Sequence, residues 1–506
     1  MQSTPTYVAL TSYDLLLHLF DQFHWCNGPS RASLASCARV CRAWQEPASY
    51  VLWRKLPALH PLWNLLAARN FSPESKWLSA YWQYIDADDF VKNVITRDRE
   101  RWNYFLRRAS HVREVGIAAC GPSELALVRA LTGYNKGKSL LPSLQRLSWR
   151  HAVPTDTSVL LFSSPSLRDL EVAVSRLGTE TGMTINSIVP AGPPRVDPMF
   201  IGLSEAAPLL HRLTLSGRQG PGPAIVPHIV KLTHLRELLL YNQSININPE
   251  QMSIVFENLC DLESLHAFVV DFSNPAAQAY APSLRSLRLK GESLDLQGVL
   301  SGYLNVPHLR SLILQASDEH YTQKSHNIFH LITQASFALA SSLRAISITQ
   351  MDDPIDVVWN DSHKDVDLCL ANALMPFADA DVEAIAKAWK RVQKLHIAYA
   401  PFRAHTHPPL TSLRHFADHC PEPVQLSMTE LAIFDALGFP VVPREGAPPL
   451  RFLDLKIPLF YIDYLFPNLV LNDGEVNAVK PKQLPARFTW EAVEEKTHEG
   501  PPSYSC

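Results

Sequence analysis

Glycine is scarce in this sequence, with 19 residues in 506, and the motifs that depend on it are missing. There is no phosphate-binding G-x-x-x-x-G-K-[ST] or G-x-G-x-x-G segment and no G-x-S-x-G nucleophile turn. The zinc-protease motif H-E-x-x-H is also missing. We therefore expect no catalytic residues and no cofactor.

Neither a large net charge nor a long apolar run is present. The 46 basic and 49 acidic residues leave a net charge of −3, which argues against a general electrostatic grip on nucleic acid or on an anionic membrane. The longest notable uncharged stretch, residues 325–343, includes His326, Asn327 and Gln334 and is too polar for a membrane span. We expect neither nucleic acid nor a membrane among the partners.

The eight cysteines form no C-x-x-C pair and are scattered along the chain. This pattern is typical of reduced thiols rather than of a disulfide framework. The first residues also lack a basic segment followed by an apolar run and a cleavage site, so no secretory signal is predicted. The sequence predicts a cytoplasmic or nuclear protein.

Residues 11–56 carry two apolar runs at helical spacing. The first contains Leu15, Leu16, Leu19, Phe20 and Phe23. The second is one stripe whose members are Leu34, Cys37, Val40, Cys41, Trp44 and Ala48, and Leu52, Trp53 and Leu56 continue it beyond Pro47. The pattern predicts a compact helical module over residues 1–56.

The second run resembles the F-box family. The resemblance rests on Leu34, Cys37, Val40-Cys41-Arg42, Trp44 and Leu52-Trp53, in the order and spacing of the family motif. That motif usually opens with a Leu-Pro pair, whereas Leu10-Thr11-Ser12 stands in its place here. The resemblance covers about a tenth of the chain and implies docking on the Skp-type linker subunit of a cullin–RING ligase.

The helical module has more apolar residues than a bundle of its size needs. We predict that Leu15, Leu19, Leu34, Val40 and Trp53 form the linker-binding surface. The alternative is that the stripe only fills the core of the bundle itself.

Residues 57–110 are predicted to be connecting helices, rich in tryptophan. Asp88-Asp89 could cap one helix that runs to Ala109. The segment from Trp102 to Arg108, leading into Val112-Arg113, resembles the junction seen in fungal F-box proteins.

From residue 111 onward a pattern recurs with apolar residues at positions one, four and six, usually with arginine at position two. Examples are Leu210-His-Arg-Leu213-Thr-Leu215, Leu235-Arg-Glu-Leu238-Leu-Leu240 and Leu284-Arg-Ser-Leu287-Arg-Leu289. First positions at 210, 235, 262, 284 and 309 fit the period of leucine-rich repeats.

The recurrence predicts an α/β fold, in which the helical F-box module precedes an irregular leucine-rich-repeat solenoid with a parallel sheet on its concave face. We place the solenoid at residues 111–471 and a C-terminal cap or tail at residues 472–506. A chance distribution of leucine pairs in another α/β fold is the alternative.

Positions three, five and seven of each repeat are predicted to project from the concave face, because side chains alternate along a strand. Four of these positions are apolar and lie beside two cationic ones, which marks a binding surface. We predict substrate binding by Leu239, Tyr241, Phe268, Arg288, Lys290 and Ile313. The alternative is that the C-terminal tail or residues 178–198 fold over this patch.

The cluster of histidines that most resembles a metal site lies near the end of the repeats. It contains His405, His407, His415, His419 and Cys420. Pro408-Pro409 interrupts it and no acidic residue lies between His415 and His419, so we expect no metal.

The F-box resemblance implies a non-enzymatic function. Fungal F-box proteins with irregular leucine-rich repeats act as substrate-recognition adaptors of cullin–RING (SCF-type) ubiquitin ligases, with a protein substrate on the repeats. The alternative is a protein-interaction scaffold without a ligase role. Fold analogy alone does not decide between them.

Overall fold

The structure is a computed structural model of the 506-residue chain, and it divides into two compact units, residues 1–359 and 360–506. The described residues are 12–23, 28–66, 86–117, 122–152, 157–174, 198–217, 223–241, 245–273, 278–316, 345–350, 368–370, 379–388, 394–399, 412–419, 425–428 and 452–455.

Three helices open the first unit: α1 (Tyr13–Asp21), α2 (Gly28–Val40) and α3 (Arg42–Arg54). Their shared core consists of Leu16, Phe20, Leu34, Ala48 and Val51. Trp44 packs edge-on against the ring of Phe20, with the ring centroids 5.7 Å apart. A helical module is therefore confirmed at this position.

The apolar stripe of the second run does not lie on one continuous helix. The helix breaks at Cys41, whose backbone is extended with φ −158° and ψ 168°. The break lets α2 and α3 fold back on each other, so both halves of the stripe face a common core. Periodicity alone did not reveal the break, because the spacing of apolar residues is unaltered across it.

The connecting region begins with β1 (Lys55–Leu56), which follows α3 without a linker. It continues with α4 (His60–Leu66), α5 (Ala87–Phe90), a π-helical segment (Val91–Ile95) and α6 (Arg99–Ala109). The single helix predicted from Asp88 to Ala109 is wrong. Asp86 caps α5 and Asp98 separately caps α6, because each carboxylate accepts backbone N–H groups of the turn that follows.

Ten strands of the first unit form one path of parallel neighbours, in the order β1-β2-β3-β4-β5-β6-β8-β10-β12-β13, with β7 paired to β8. The strands after β1 are β2 (Glu114–Ile117), β3 (Arg146–Ala152), β4 (Asp169–Val174), β5 (Arg212–Gly217), β6 (Glu237–Leu240), β7 (Asn246–Ile247), β8 (Ser264–Val269), β10 (Ser286–Gly291), β12 (Ser311–Ala316) and β13 (Ala345–Gln350). A short separate sheet pairs β9 (Ala279–Tyr280) with β11 (Leu304–Asn305).

Helical segments return the chain between successive strands. They are α7 (Pro122–Tyr134), α8 (Val159–Phe162), α9 (Pro198–Ala206), a 3-10 turn (Pro223–Ile225), α10 (Val226–Ile229), α11 (Pro249–Asn258), α12 (Ser293–Gly298) and a π-helical segment (Val299–Tyr303). Helix α11 begins with a full capping box, in which Asn248 and Gln251 exchange side-chain to backbone hydrogen bonds.

One row of leucines crosses the sheet, with one residue from each of seven neighbouring strands at most 1% exposed. The row consists of Leu147, Leu170, Leu213, Leu238, Leu265, Leu287 and Leu312, and the strand registers set each leucine opposite the next. These are the position-four leucines of the repeats. The predicted α/β repeat fold with a parallel sheet is confirmed.

The second unit has its own parallel sheet, in the order β14 (Leu368–Leu370), β15 (Lys394–Tyr399), β16 (Gln425–Met428) and β17 (Phe452–Leu455). Its described helices are α13 (Asp379–Ala388) and α14 (Leu413–His419), which pack against each other. Among the residues described in either unit, no helix is both long and apolar enough to cross a bilayer.

The bundle core supplies a matched pair of substitutions. Leu34 is 1% exposed whereas Leu15 is 56% exposed. We expect Leu34→Ala to destabilise the bundle by about 2 to 5 kcal/mol through a cavity, and Leu15→Ala to change its stability by less than about 0.5 kcal/mol. Hydrogen exchange of the α1–α3 amides measures both, and equal loss of protection in the two variants would contradict the assigned core.

Candidate functional site

The residues predicted for linker binding fall into different environments. Leu15 and Leu19 are 56% and 50% exposed and lie one turn apart on α1. Val40 is 63% exposed at the last residue of α2, and Trp53 is partly buried near the end of α3. The prediction is wrong for Leu34, which is not on this surface because it packs in the bundle core against helices α1 and α3.

Helix α1 is apolar on two sides. Leu16 and Phe20 fill the core, while Leu15 and Leu19 point away from it. Tyr13, which was not among the predicted linker-binding residues, is also exposed on this helix at 44%. A complete core on one side leaves the outer leucines available to another chain.

The residues predicted for substrate binding become neighbours across four strands. We call the sheet face that bears positions three, five and seven the outward face. The register sets Leu239 opposite His266, His266 opposite Arg288, and Arg288 opposite Ile313. In the next row it sets Phe268 opposite Lys290 and Lys290 opposite Gln315.

The rings and cations of this region pack closely. The Tyr241 and His266 centroids are 4.3 Å apart at an interplanar angle of 85°. His266 stacks towards Phe268 at 6.3 Å, and the Lys290 Nζ lies 5.2 Å from the Phe268 ring centroid. A cation over an aromatic face is an attractive arrangement.

The apolar patch is less exposed than the sequence analysis expected. Leu239 is 8% exposed and Phe268 is 9% exposed. Large side chains on strands about 4.8 Å apart cover one another from solvent. The alternation of residues along one strand does not predict how far side chains of the neighbouring strands cover them. The C-terminal tail and residues 178–198, proposed above as a possible cover, lie outside the described residues.

Two buried polar groups on the outward face lack hydrogen-bond partners among the described residues. His266 is 4% exposed and neither of its ring nitrogens is bonded. Gln315 is 3% exposed and its amide nitrogen is likewise unbonded. The strand period places both residues on this face, but neither is apolar or cationic, and so neither was among the predicted binding residues. A buried polar group without a partner costs about 1 to 3 kcal/mol.

Burial and nearby cations set the protonation of this region. Burial, followed by the charges of Arg288 and Lys290, holds the pKa of His266 well below its usual value. Burial also lowers the pKa of Lys290. Near neutral pH, His266 is therefore neutral, with one nitrogen donating and the other accepting.

Position three of the strands carries a ladder of alternating charges. Its neighbouring members approach to between 2.8 and 3.8 Å. The members are Lys55, Glu114, Arg146, Asp169, Arg212 and Glu237. Three positive and three negative groups cancel, and partly exposed pairs of this kind each contribute at most about 1 kcal/mol.

In the described part of the second unit, one group of side chains of the kinds that bind metal ions lies close together. Ligand atoms of Glu383, His415 and His419 all lie within 4.8 Å of one another. The carboxylate of Glu383 already receives the Lys387 ammonium at 2.6 Å, and the Nε2 of His415 lies 3.1 Å from Asp379 Oδ1. These existing partners satisfy the carboxylate and one imidazole, and we assign no metal to the group. The other residues of the predicted histidine cluster, His405, His407 and Cys420, lie outside the described residues.

Comparisons with known proteins give likenesses among solved structures but none by sequence. No protein-family model matches this sequence, and no curated protein matches it. Among solved structures it is similar to the crystal structure of the Rad7 and Elc1 complex in yeast, at 12% identity and a TM-score of 0.33. The match covers 84% of this chain and 98% of that chain. So low an identity and TM-score carry no inference about function, and the fold rests on the strand registers described above.

The protonation of His266 can be measured directly. We expect its pKa to lie below the usual value near 6.5, and Lys290→Gln to raise it because one neighbouring positive charge is removed. Histidine C2 hydrogen–deuterium exchange followed by mass spectrometry measures the pKa. The exposed Lys231, which lies in the turn after α10 and belongs to no strand, provides the control variant Lys231→Gln. An unshifted pKa in the Lys290 variant would contradict the described packing.

Proposed function

We propose that this chain is a substrate-recognition adaptor of a cullin–RING ubiquitin ligase. Its N-terminal bundle docks on a Skp-type linker subunit, and the outward face of its repeats holds a protein substrate. The observation that carries the proposal is the pair of exposed leucines, Leu15 and Leu19, on a bundle whose core is already complete. The F-box resemblance of residues 34–53 supplies the class of partner.

The connection between the two surfaces supports an adaptor. Helix α3 ends at Arg54 and β1 begins at Lys55, where it pairs with β2. The backbone N–H of Arg113 donates to the carbonyl of Arg54 at 2.8 Å. The last bundle helix therefore runs directly into the sheet, which suits a protein that holds two partners in a fixed relation.

Such an adaptor works by proximity and performs no bond chemistry itself. Holding a substrate beside a charged ubiquitin-conjugating enzyme raises the effective concentration of the substrate lysines. A fixed connection limits the loss of effective concentration that a long flexible linker would bring.

Substitution tests the docking surface better than truncation, because deletion of residues 1–56 would also remove β1 from the sheet. We expect Leu15→Ala with Leu19→Ala to weaken binding of a co-expressed Skp-type linker subunit by about 30-fold or more. Truncation of one hydrophobic anchor commonly costs at least about 2 kcal/mol. Because about 1.4 kcal/mol corresponds to tenfold, about 30-fold is the loss expected if only one of the two leucines is such an anchor. Pull-down followed by calorimetry measures the loss.

The matched control is Asp14→Ala with His18→Ala, which alters two exposed polar positions of the same helix. It should leave linker binding unchanged. Undiminished binding by the leucine variant, or equal loss in both variants, would refute the proposed docking surface.

A further inference from the structure

We propose that the outward face of β6, β8, β10 and β12 binds an acidic peptide segment of the partner protein, with a side-chain carboxylate received by Lys290 and Gln315 beside the buried ring of His266. This inference rests on the proposed function and deepens it, since it specifies the chemistry of the substrate. It goes beyond the apolar patch predicted from sequence, in which neither His266 nor Gln315 had a role.

The unsatisfied groups indicate what the site lacks. The amide nitrogen of Gln315 is a buried donor without a partner, and neutral His266 has a buried donor and a buried acceptor without partners. Register places Lys290 directly opposite Gln315 on β12, and opposite Phe268, two residues beyond His266, on β8. An acceptor with two oxygen atoms would satisfy the donors of Lys290 and Gln315, which lie on neighbouring strands.

The charge of the site fits an anion. The nine outward positions of β8, β10 and β12 carry two cations, Arg288 and Lys290, and no acidic residue. By contrast, the ladder from Lys55 to Glu237 is balanced by its own ion pairs. The Lys290 ammonium has no acidic neighbour at these nine positions, and it lies opposite Gln315, whose amide nitrogen is unbonded.

The apolar groups and the width of the site favour a peptide as the occupant. Phe268 lies beside Lys290 and Ile313 lies opposite Arg288, so apolar side chains flank the cations. The site spans three steps of about 4.8 Å between strands, or roughly 14 Å. An extended chain covers that width with about four residues. Within such a segment, a carboxylate would contact the cations and the polar donors, and apolar side chains on either side of it would contact the apolar residues of the site.

The test uses the full chain and a library of capped, fluorescent octapeptides with apolar residues around a fixed centre. The centre is Asp or Glu in one arm, Asn or Gln in the second, and phosphoserine in the third. Fluorescence anisotropy measures binding without the linker subunit, so failure here is distinguishable from failure of linker docking. We expect the acidic arm to bind at least about tenfold more tightly than the amide arm, as hydrogen bonds to charged groups imply.

Two variants locate the site. Lys290→Gln removes the ammonium, and Gln315→Glu replaces the unbonded amide with a negative charge of the same shape. Each should weaken the acidic arm by at least about tenfold, while the control Lys231→Gln should not weaken it. Correct folding of the variants is checked by retained linker binding and by retained amide protection of β8 and β10.

Several results would overturn the inference. They are equal binding of the acidic and amide arms, preference for the phosphoserine arm, no binding in any arm, or equal loss in the Lys231 variant. Residues 488–495 of this chain form an acidic and aromatic segment. Tighter binding of that peptide than of every library member would assign the site to the chain itself rather than to a partner.

Discussion

The row of buried leucines is the constraint on which the rest of the first unit depends. Each repeat buries its position-four leucine beside that of its neighbours, from Leu147 to Leu312, and a single repeat could not close this core alone. Because side chains alternate strictly along a strand, fixing the leucines on one face fixes positions three, five and seven on the other. Parallel in-register pairing then turns those positions into lateral rows.

The properties of the outward face follow from this lateral order. Position three forms the balanced charge ladder that ends at Glu237, while the same position in β8, β10 and β12 is serine. The charge on the next three strands comes instead from Arg288 and Lys290, beside a buried imidazole with no partner. The two regions share one backbone geometry, but the first pairs its charges in the ladder, whereas the second contains buried polar groups without hydrogen-bond partners. A partner chain gains the most binding free energy where it supplies hydrogen bonds to unsatisfied polar groups on an ordered sheet.

Much of this arrangement was predictable from the sequence. The predictions that were wrong have identifiable physical reasons. The period of the leucines correctly predicted the positions of β5, β6, β8, β10 and β12. The alternation of side chains along each strand predicted which residues project outward. It did not reveal that Leu239 and Phe268 are largely covered, since shielding depends on side chains from neighbouring strands. The break at Cys41 and the core position of Leu34 were missed because an apolar stripe does not state which of its members pack internally. The same limit applied to α5 and α6, where two separate aspartate caps interrupt one apparent period.

The central claim is that one chain holds two proteins at once through independent surfaces, the outer side of α1 and the outward face of the repeats. Native mass spectrometry of the full chain mixed with a Skp-type linker subunit and an Asp-centred octapeptide tests it most directly. The account predicts a 1:1:1 complex and a peptide affinity that the linker does not alter. Displacement of the peptide by the linker, or a peptide that binds only in the linker's absence, would contradict it.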